Sequence, residues 1–138
     1  MALGRVLVVD DETEIRKSLR LILTKAGFDV VEAEDGEQGV VAVRRADRDA
    51  MPVDVIICDL HMPKMNGTET IAYFHSQFPS VPVIVLTGEP DLRNAGRFKS
   101  EQGVIEYLVK PVQPEQLRDA VHRATFQKAV MGRAFFAT

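Results

Sequence analysis

Residues Val53 to Gly67 read VDVIICDLHMPKMNG, and no other stretch indicates the fold as directly. The stretch begins as a short apolar run typical of a buried strand, and the run stops at a carboxylate, Asp59. Met62-Pro63 and Asn66-Gly67 follow, and such Pro and Asn-Gly signals require a loop before a helix can begin. Asp59 is therefore predicted at the carboxyl end of a strand. Ligands of open α/β sheets bind at that edge, so we expect the chemistry of the protein there.

Three other apolar runs also end on functional groups. RVLVVDD ends on Asp10 and Asp11, VPVIVLT ends on Thr87, and VIEYLVK ends on Lys110. Taken singly, each is ordinary, because Asp and Thr are common turn and cap residues and a Lys at a strand end is a common surface cation. Four parallel strands would however bring three acids, a hydroxyl and an amine to one edge. The combination predicts a functional site.

Composition limits the class of protein. The chain has 138 residues, of which 46% are hydrophobic and 27% charged, and this is typical of one globular domain. A net charge of -3 gives no broad positive field, so we expect protein partners and no direct binding of nucleic acid. The first apolar run is short and is closed by acids, which argues against a signal peptide or membrane span and predicts a cytoplasmic protein. Cys58 has no partner for an internal disulfide, and a buried, inert thiol is the simplest interpretation.

Strand and helix patterns alternate along the chain. The predicted strands are Arg5–Val9, Phe28–Glu32 (a more polar, edge-like strand), the run ending at Asp59, the run ending at Thr87, and Val104–Val109. Helical spacing of apolar residues predicts a helix after each strand. The fourth helix, within Glu89–Gln102, has few apolar residues and should be the least stable, whereas the fifth begins near Pro114. Such alternation predicts a single α/β domain with a doubly wound parallel sheet of five strands and five helices.

Four motifs occur in order along this framework: VVDDE from Val8, DLHMPKMNG from Asp59, LTG from Leu86 and YLVKP from Tyr107. Together they resemble the receiver domain of bacterial response regulators, the phospho-accepting half of two-component signalling. The resemblance covers about Arg5 to Ala124. It implies a flavodoxin-like sheet with strand order 2-1-3-4-5, a receiver domain over residues 1–124, and a C-terminal helix extension or tail over 125–138.

The resemblance implies a role for each acid of the site. Asp59 would accept a phosphoryl group as an oxygen nucleophile. Crowded carboxylates repel one another, and a hard cation with oxygen ligands relieves that repulsion. We therefore expect Mg²⁺ on Asp11, Asp59 and the backbone carbonyl of His61, with Asp10 acting mainly through water.

Three further residues complete the implied site. Lys110 supplies a compact cation for Asp59 or for a phosphoryl oxygen, and Thr87 supplies a hydroxyl donor. Tyr107 resembles the switch residue of the family, which turns inward when Thr87 moves toward the phosphoryl group; an ordinary amphipathic Tyr on a half-exposed strand is the alternative. The geometry of the family also implies a cis peptide between Lys110 and Pro111.

The resemblance implies partners and an output surface as well. The phosphoryl donor would be a sensor histidine kinase or a phosphotransfer protein, and the target a downstream effector or output domain. The fourth helix, fifth strand and fifth helix would form the output face, on which a homodimer is an option. The protein would not be an enzyme acting on other substrates, since it would catalyse only its own phosphorylation and dephosphorylation.

Two other classes deserve comparison. A Mg²⁺-dependent phosphatase of the haloacid dehalogenase type also uses Asp at a strand end, but it needs a second Asp two residues on, where this chain has His61. A flavodoxin-like flavin protein needs a hydroxyl-rich phosphate loop after the first strand, and DDETE there would repel phosphate. His61 and His75 have no spaced metal-ligating partners, so we expect no zinc site.

Overall fold

The computed structural model describes residues 2–62, 65–88 and 104–137. In these ranges, five strands form one parallel sheet, two short strands form a hairpin, and four helices cover the sheet. The elements are β1 (Arg5–Val9), α1 (Thr13–Lys25), β2 (Asp29–Ala33), α2 (Gly36–Arg48), β3 (Val55–Asp59), β4 (His61–Met62), β5 (Met65–Asn66), α3 (Gly67–Gln77), β6 (Val83–Thr87), β7 (Val104–Val109) and α4 (Pro114–Ala137).

The strand order of the large sheet is β2-β1-β3-β6-β7, and every pairing is parallel. This is the predicted 2-1-3-4-5 order, since β6 and β7 are the fourth and fifth strands of the sheet along the chain. The predicted fourth helix, within Glu89–Gln102, lies outside the described residues. The predicted fifth helix corresponds to α4.

Helices cover both faces of the large sheet, which explains the continuous apolar runs of its central strands. Alternate side chains of β3 point to opposite faces, so Ile56 and Cys58 pack with α2 and α3 while Val55 and Ile57 pack with α1 and α4. Parallel strands covered on both faces need apolar residues at every position. All five residues of β3 are buried, whereas β2 at the edge is largely half-exposed, as its more polar sequence predicted.

Helix boundaries follow local signals. Gly27 ends the α1 region with a φ of 97°, a left-handed conformation that glycine adopts without steric cost. Asp35 caps α2, because its side chain accepts a hydrogen bond from the Gln38 N–H at 2.8 Å. β2 begins at Asp29 rather than the predicted Phe28, since the Phe28 N–H still donates to Leu23 at the end of α1.

Gly39 marks a close approach between α2 and its neighbours. A Cβ atom at this position would lie 2.9 Å from Cζ of Phe74 on α3 and 3.2 Å from Cγ2 of Val9 on β1. Phe74 is itself only 1% exposed and has little room to move. The absence of a side chain at Gly39 therefore lets α2 and α3 pack closely over β1.

The final helix is longer than the packed domain requires. Its predicted apolar stripe is buried against the sheet and consists of Leu117, Ala120, Val121 and Ala124. Beyond that stripe α4 continues to Ala137, so most of the predicted C-terminal extension is helical. The domain boundary at residue 124 itself stays a prediction. Within the described ranges, no helix is long and apolar enough to cross a membrane.

Candidate functional site

The site lies at the carboxyl edge of the sheet, because parallel strands all end there. Asp10 follows β1, Asp59 ends β3, Thr87 ends β6 and Lys110 follows β7. Asp10 and Asp59 are 1% and 3% exposed, and Thr87 is fully buried. Charged groups are rarely buried to this extent unless they are paired, so the edge is a built site rather than a row of surface residues.

Lys110 joins the two buried acids. Its Nζ donates to Oδ2 of Asp59 at 3.1 Å and to Oδ2 of Asp10 at 3.2 Å, and it lies 3.9 Å from Oε1 of Glu12. The Lys110 backbone N–H donates to the Thr87 carbonyl at 2.7 Å, which continues the pairing of β7 with β6 past the end of the strand. The Lys110-Pro111 peptide is cis, as predicted.

Four carboxylates form one cluster beside Lys110. One oxygen each of Asp10, Asp11, Glu12 and Asp59 lies within 4.8 Å of the others. Asp10 and Asp59 are buried while Asp11 and Glu12 are exposed, so the cluster opens to solvent on one side. Anionic oxygens at this spacing are the donor type that Mg²⁺ prefers, and the cluster therefore fits the predicted cation.

Glu12 was not among the residues predicted for the site. The sequence carried a signal for it, because Glu12 directly follows the Asp10-Asp11 pair. Its position depends on a turn: the Glu12 N–H donates to Oδ1 of Asp10 at 2.9 Å, which folds the chain back over the strand end. Such a side-chain turn is typical of Asp after a strand.

His61 begins the short strand β4, which pairs with β5 in an antiparallel hairpin. His61 is two positions after Asp59 in the sequence, so the hairpin begins close to the carboxyl end of β3. Its proposed role as a metal ligand through the backbone carbonyl stays a prediction. His75 is partly buried on α3, and the acidic cluster found in the described part of the chain contains no histidine.

Burial and the neighbouring charges have opposing effects on the pKa values of Asp10 and Lys110. Burial raises the pKa of Asp10 and the Asp59 charge raises it further, while the Glu12 N–H and Lys110 act in the other direction without cancelling the shift. For Lys110, burial lowers the pKa, but attraction to Asp10 and Asp59 exceeds that effect and leaves the pKa raised. Lys110 is thus held in its charged form by the carboxylates.

Cys58 has the predicted character. It is fully buried in β3, and burial, followed by the charges of Asp59 and Asp10, raises its pKa far above the ordinary value for a thiol. A thiol that resists ionisation is a poor nucleophile. Cys58 is therefore a core residue even though it neighbours the candidate phosphoacceptor.

Tyr107 and Thr87 lie on adjacent strands. Tyr107 is half-buried in β7, where it lies opposite Val85 and packs against the side of the core that faces α2 and α3. Thr87 ends β6 beside the site. The structure therefore places both predicted switch residues on the strands that connect Asp59 with the far edge of the sheet, and their roles stay predictions.

Arg16 is a second residue that sequence reasoning missed. It is only 8% exposed although it lies in the first turns of α1, and its Nη1 donates to the backbone carbonyl of Asp10 at 2.6 Å. An Arg at this position of a helix is expected on the surface, and the sequence contains no local signal for its burial.

Residues 6–122 match the family described as the response regulator receiver domain. The chain belongs to this family. The receiver domain thus spans the five-stranded sheet, the acidic cluster and Lys110.

Curated relatives support the same assignment. The chain is 36% identical over 126 residues to the transcriptional regulatory protein GlrR of Escherichia coli, covering 91% of this chain and 27% of the relative. It is 36% identical over 108 residues to the transcriptional regulatory protein QseB of Haemophilus influenzae, covering 78% of this chain and 46% of the relative. The chain therefore spans less than half the length of either.

Solved structures extend the match to the whole receiver fold. A response regulator receiver domain protein of Clostridium thermocellum is 33% identical with a TM-score of 0.81, covering 94% of this chain and 99% of that one. The chemotaxis protein CheY4 of Vibrio cholerae is 34% identical with a TM-score of 0.78, covering 89% and 99% respectively.

Proposed function

We propose that this receiver domain accepts a phosphoryl group on Asp59 from a sensor histidine kinase or a phosphotransfer protein. The proposal rests chiefly on one observation: the Asp59 carboxylate lies both within the acidic cluster and in contact with Lys110. A nucleophilic oxygen therefore has cation ligands on one side and an ammonium group on the other. Phosphoryl transfer needs this combination of positioning and positive charge.

Asp10, Asp11 and Asp59, with the backbone carbonyl of His61, would hold Mg²⁺, and Glu12 adds a further carboxylate to the same cluster. A bound Mg²⁺ would offset the negative charge of the phosphoryl oxygens. The exposed side of the cluster, at Asp11 and Glu12, gives a route for the cation and for the phosphodonor.

In the transfer step, a carboxylate oxygen of Asp59 forms a bond to phosphorus while the bond from phosphorus to the donor nitrogen breaks. The electron pair of that bond stays on the donor histidine, so the step needs no redox partner. Lys110, already within 3.1 Å of Asp59, stabilises the phosphoryl oxygens, and the Thr87 hydroxyl donates to one of them. Hydrolysis of the aspartyl phosphate by water restores the carboxylate and releases inorganic phosphate, and these are the only reactions proposed for this domain.

A haloacid dehalogenase-type phosphatase finds no support. The family match and the receiver strand order account for the whole described sheet, and the position two residues after Asp59 carries His61 instead of the second Asp that such an enzyme needs.

Output is proposed to leave through the segment between Thr87 and the end of the receiver domain at residue 124. Phosphorylation adds charge at Asp59, and Thr87 moves toward it through a new hydrogen bond. Thr87 pairs with Val109 of β7, the strand that carries Tyr107, so this movement reaches the far edge of the sheet. Residues 89–102, β7 and α4 then present the altered face to a protein effector, an output domain or a second copy, in the cytoplasm.

The decisive experiment is intact mass spectrometry after incubation with Mg²⁺ and a small phosphodonor such as acetyl phosphate. We expect one added phosphoryl group, which is lost in Asp59→Asn and when Mg²⁺ is chelated. Asp47→Asn, which removes a carboxylate from α2, is the matched control and should be labelled like the wild type. Labelling that persists in Asp59→Asn would show that the acceptor is a different residue.

A second measurement addresses the output face. Amide hydrogen exchange is compared with and without Mg²⁺ and beryllofluoride, a mimic of the phosphoryl group. We expect protection to change across residues 89–124 as well as around Asp59. Changes confined to the loop after Asp59 would place the output surface elsewhere.

A further inference from the structure

Arg16 is held on the buried side of the acidic cluster by several hydrogen bonds. Its Nε lies 3.3 Å from Oε1 of Glu32 on β2, and its Nη2 lies 3.3 Å from Oγ1 of Thr13. Oε2 of Glu32 in turn accepts from Nε of Arg20 at 2.7 Å. The guanidinium plane is thus fixed by α1 and β2 together, and its remaining nitrogen, Nη1, reaches the Asp10 carbonyl.

This contact completes the hold on Asp10. The Asp10 N–H donates to the Ala33 carbonyl at 3.1 Å. Oδ1 of Asp10 accepts from the Glu12 N–H, and Oδ2 accepts from Lys110. The Asp10 carbonyl lies past the last rung of β1, and Arg16 donates to it at 2.6 Å. A buried carbonyl is costly to leave without a donor, so the contact fixes the peptide between Asp10 and Asp11.

That peptide links two of the four acids of the cluster and helps to position a third. Asp10 and Asp11 flank it, and Glu12 is positioned by the Asp10 side chain. Mg²⁺ tolerates little deviation from octahedral geometry, so its affinity depends on how firmly the ligands are held. Groups that orient metal ligands typically change metal affinity by about 10–100-fold when they are removed.

We propose that Arg16 is a positioning residue which sets the Mg²⁺ affinity of the acidic cluster by fixing the Asp10 carbonyl, with Glu32 and Arg20 holding its guanidinium in place. The inference rests on the proposed function for its cation. Arg16 lies on α1, outside the four sequence motifs, and its guanidinium is not one of the cation ligands.

The direction of the change in Mg²⁺ affinity distinguishes positioning by Arg16 from a simple electrostatic effect of its charge. Removal of a positive charge near a cation site, by Coulomb's law alone, strengthens cation binding. Loss of a positioning contact weakens it. A neutral replacement of Arg16 therefore gives opposite results under the two accounts, and Arg16→Lys, which keeps the charge but cannot reproduce the planar set of donors, isolates the geometric part.

The test is a Mg²⁺ titration of ¹⁵N-labelled protein, followed by amide chemical shifts, for the wild type, Arg16→Met, Arg16→Lys and Lys17→Met. Lys17 is the matched control, because it is an exposed cation on the same helix whose ion pair is with Glu14. We expect the Kd for Mg²⁺ to rise by about tenfold or more in Arg16→Met and by several-fold in Arg16→Lys, with Lys17→Met within about twofold of the wild type. A Kd that is unchanged or lower in Arg16→Met and unchanged in Arg16→Lys would overturn the proposal.

Stability measurements distinguish positioning of the Mg²⁺ ligands by Arg16 from a purely structural role of this residue. Unfolding by denaturant is followed with a chelator and at a fixed Mg²⁺ concentration, since a ligand stabilises the folded state according to its Kd. A structural role lowers the stability of the variants in chelator but leaves the Mg²⁺ increment intact, whereas positioning reduces the increment. If Arg16→Met does not fold, Arg16→Lys decides by the same criterion. Failure of the wild type to be phosphorylated on Asp59 would remove the proposed function and leave the result on Mg²⁺ affinity standing.

Discussion

The ammonium group of Lys110 lies 3.1 Å from the carboxylate of Asp59, although their strands, β7 and β3, are not neighbours in the sheet. β6 runs between them and ends at Thr87, so Lys110 reaches across the end of an intervening strand. The cis peptide at Pro111 and the hydrogen bond from the Lys110 N–H to the Thr87 carbonyl accompany this position. One cation thereby contacts the carboxyl ends of both β3 and β1.

Lys110→Met should destabilise the protein in the absence of divalent cations. The change leaves Asp10 and Asp59 buried without their shared cation, and we expect a loss of about 1–3 kcal/mol at neutral pH in denaturant unfolding. The folded-state pKa of Lys110 is raised above 10.5, so its contribution is complete below pH 10.5 and is lost as the pH rises through the folded value. The difference from the wild type should therefore shrink at strongly alkaline pH. A constant difference across that range would contradict the ionic origin of the effect.

Asp10→Asn should stabilise the protein under the same metal-free conditions, in contrast to Lys110→Met. The folded-state pKa of Asp10 is raised above 3.8, so its ionisation opposes folding once the pH exceeds that value. We expect the variant to be more stable than the wild type at neutral pH, and the two to become equal below pH 3.8, where the wild-type carboxyl is protonated in both states. Chemical unfolding from acid to neutral pH measures this, with Asp47→Asn as the control for loss of a surface carboxylate. Equal stability at neutral pH would show that Lys110 fully offsets the burial of Asp10.

Thr87→Ala should separate phosphorylation from its transmission. The variant keeps Asp59, Lys110 and the acidic cluster, so we expect labelling to persist with a rate lower by about tenfold, the value of one lost hydrogen bond. Hydrogen exchange over residues 104–124 should no longer respond to beryllofluoride. Thr87→Ser retains the hydroxyl and should restore the response. A normal response in Thr87→Ala would remove this residue from the switch.

Gly39→Val should destabilise the core without affecting the acids. The new side chain would overlap Phe74 and Val9, and overpacking of this kind typically costs about 1–3 kcal/mol, more than the gain in helix propensity over glycine. Gly88→Val is the control for stability, because a Cβ there would meet no atom of the described residues within 4 Å, its chain neighbours aside. The measurement is denaturant unfolding followed by circular dichroism. Equal stability of the two variants would mean that α2 moves away from α3 at little cost.

The sheet and the positions of the principal site residues follow from the sequence. The apolar runs predict the strands, and the residue that ends each run, such as Asp59 or Lys110, is placed at the functional edge by the direction of the chain alone. Asp59 could be paired with Lys110 for the same reason, whereas the contact of Lys110 with Asp10 was found only in the structure. The strand order, in contrast, came from the resemblance, since apolar periodicity reports which residues are buried and not which strands are adjacent.

Of the two residues that sequence reasoning missed, Arg16 depends on a tertiary partner. Arg16 can be buried because it forms an ion pair with Glu32 of β2. No residue near Arg16 in the sequence predicts that ion pair. Glu12, in contrast, joins the cluster through a local turn closed by the side chain of Asp10, and its place directly after Asp10-Asp11 was a signal that could have found it. The narrow gap over Gly39 is created by α3, which follows much later in the chain. Local patterns cannot report long-range contacts such as those of Arg16 and Gly39.

The ion pair between Asp10 and Lys110 joins residues that are 100 positions apart in the chain. During synthesis from the N-terminus, Asp10, Asp11, Glu12 and Asp59 are all made before the Lys that neutralises them. A chain in which β1 and β3 have formed but β7 has not docked lacks the lysine that contacts Asp10 and Asp59 in the folded protein. Mutual repulsion of the acids thus opposes closure of this edge before β7 docks, and the contact of Lys110 with Asp59 on which the proposed phosphorylation rests exists only after the last strand has been added.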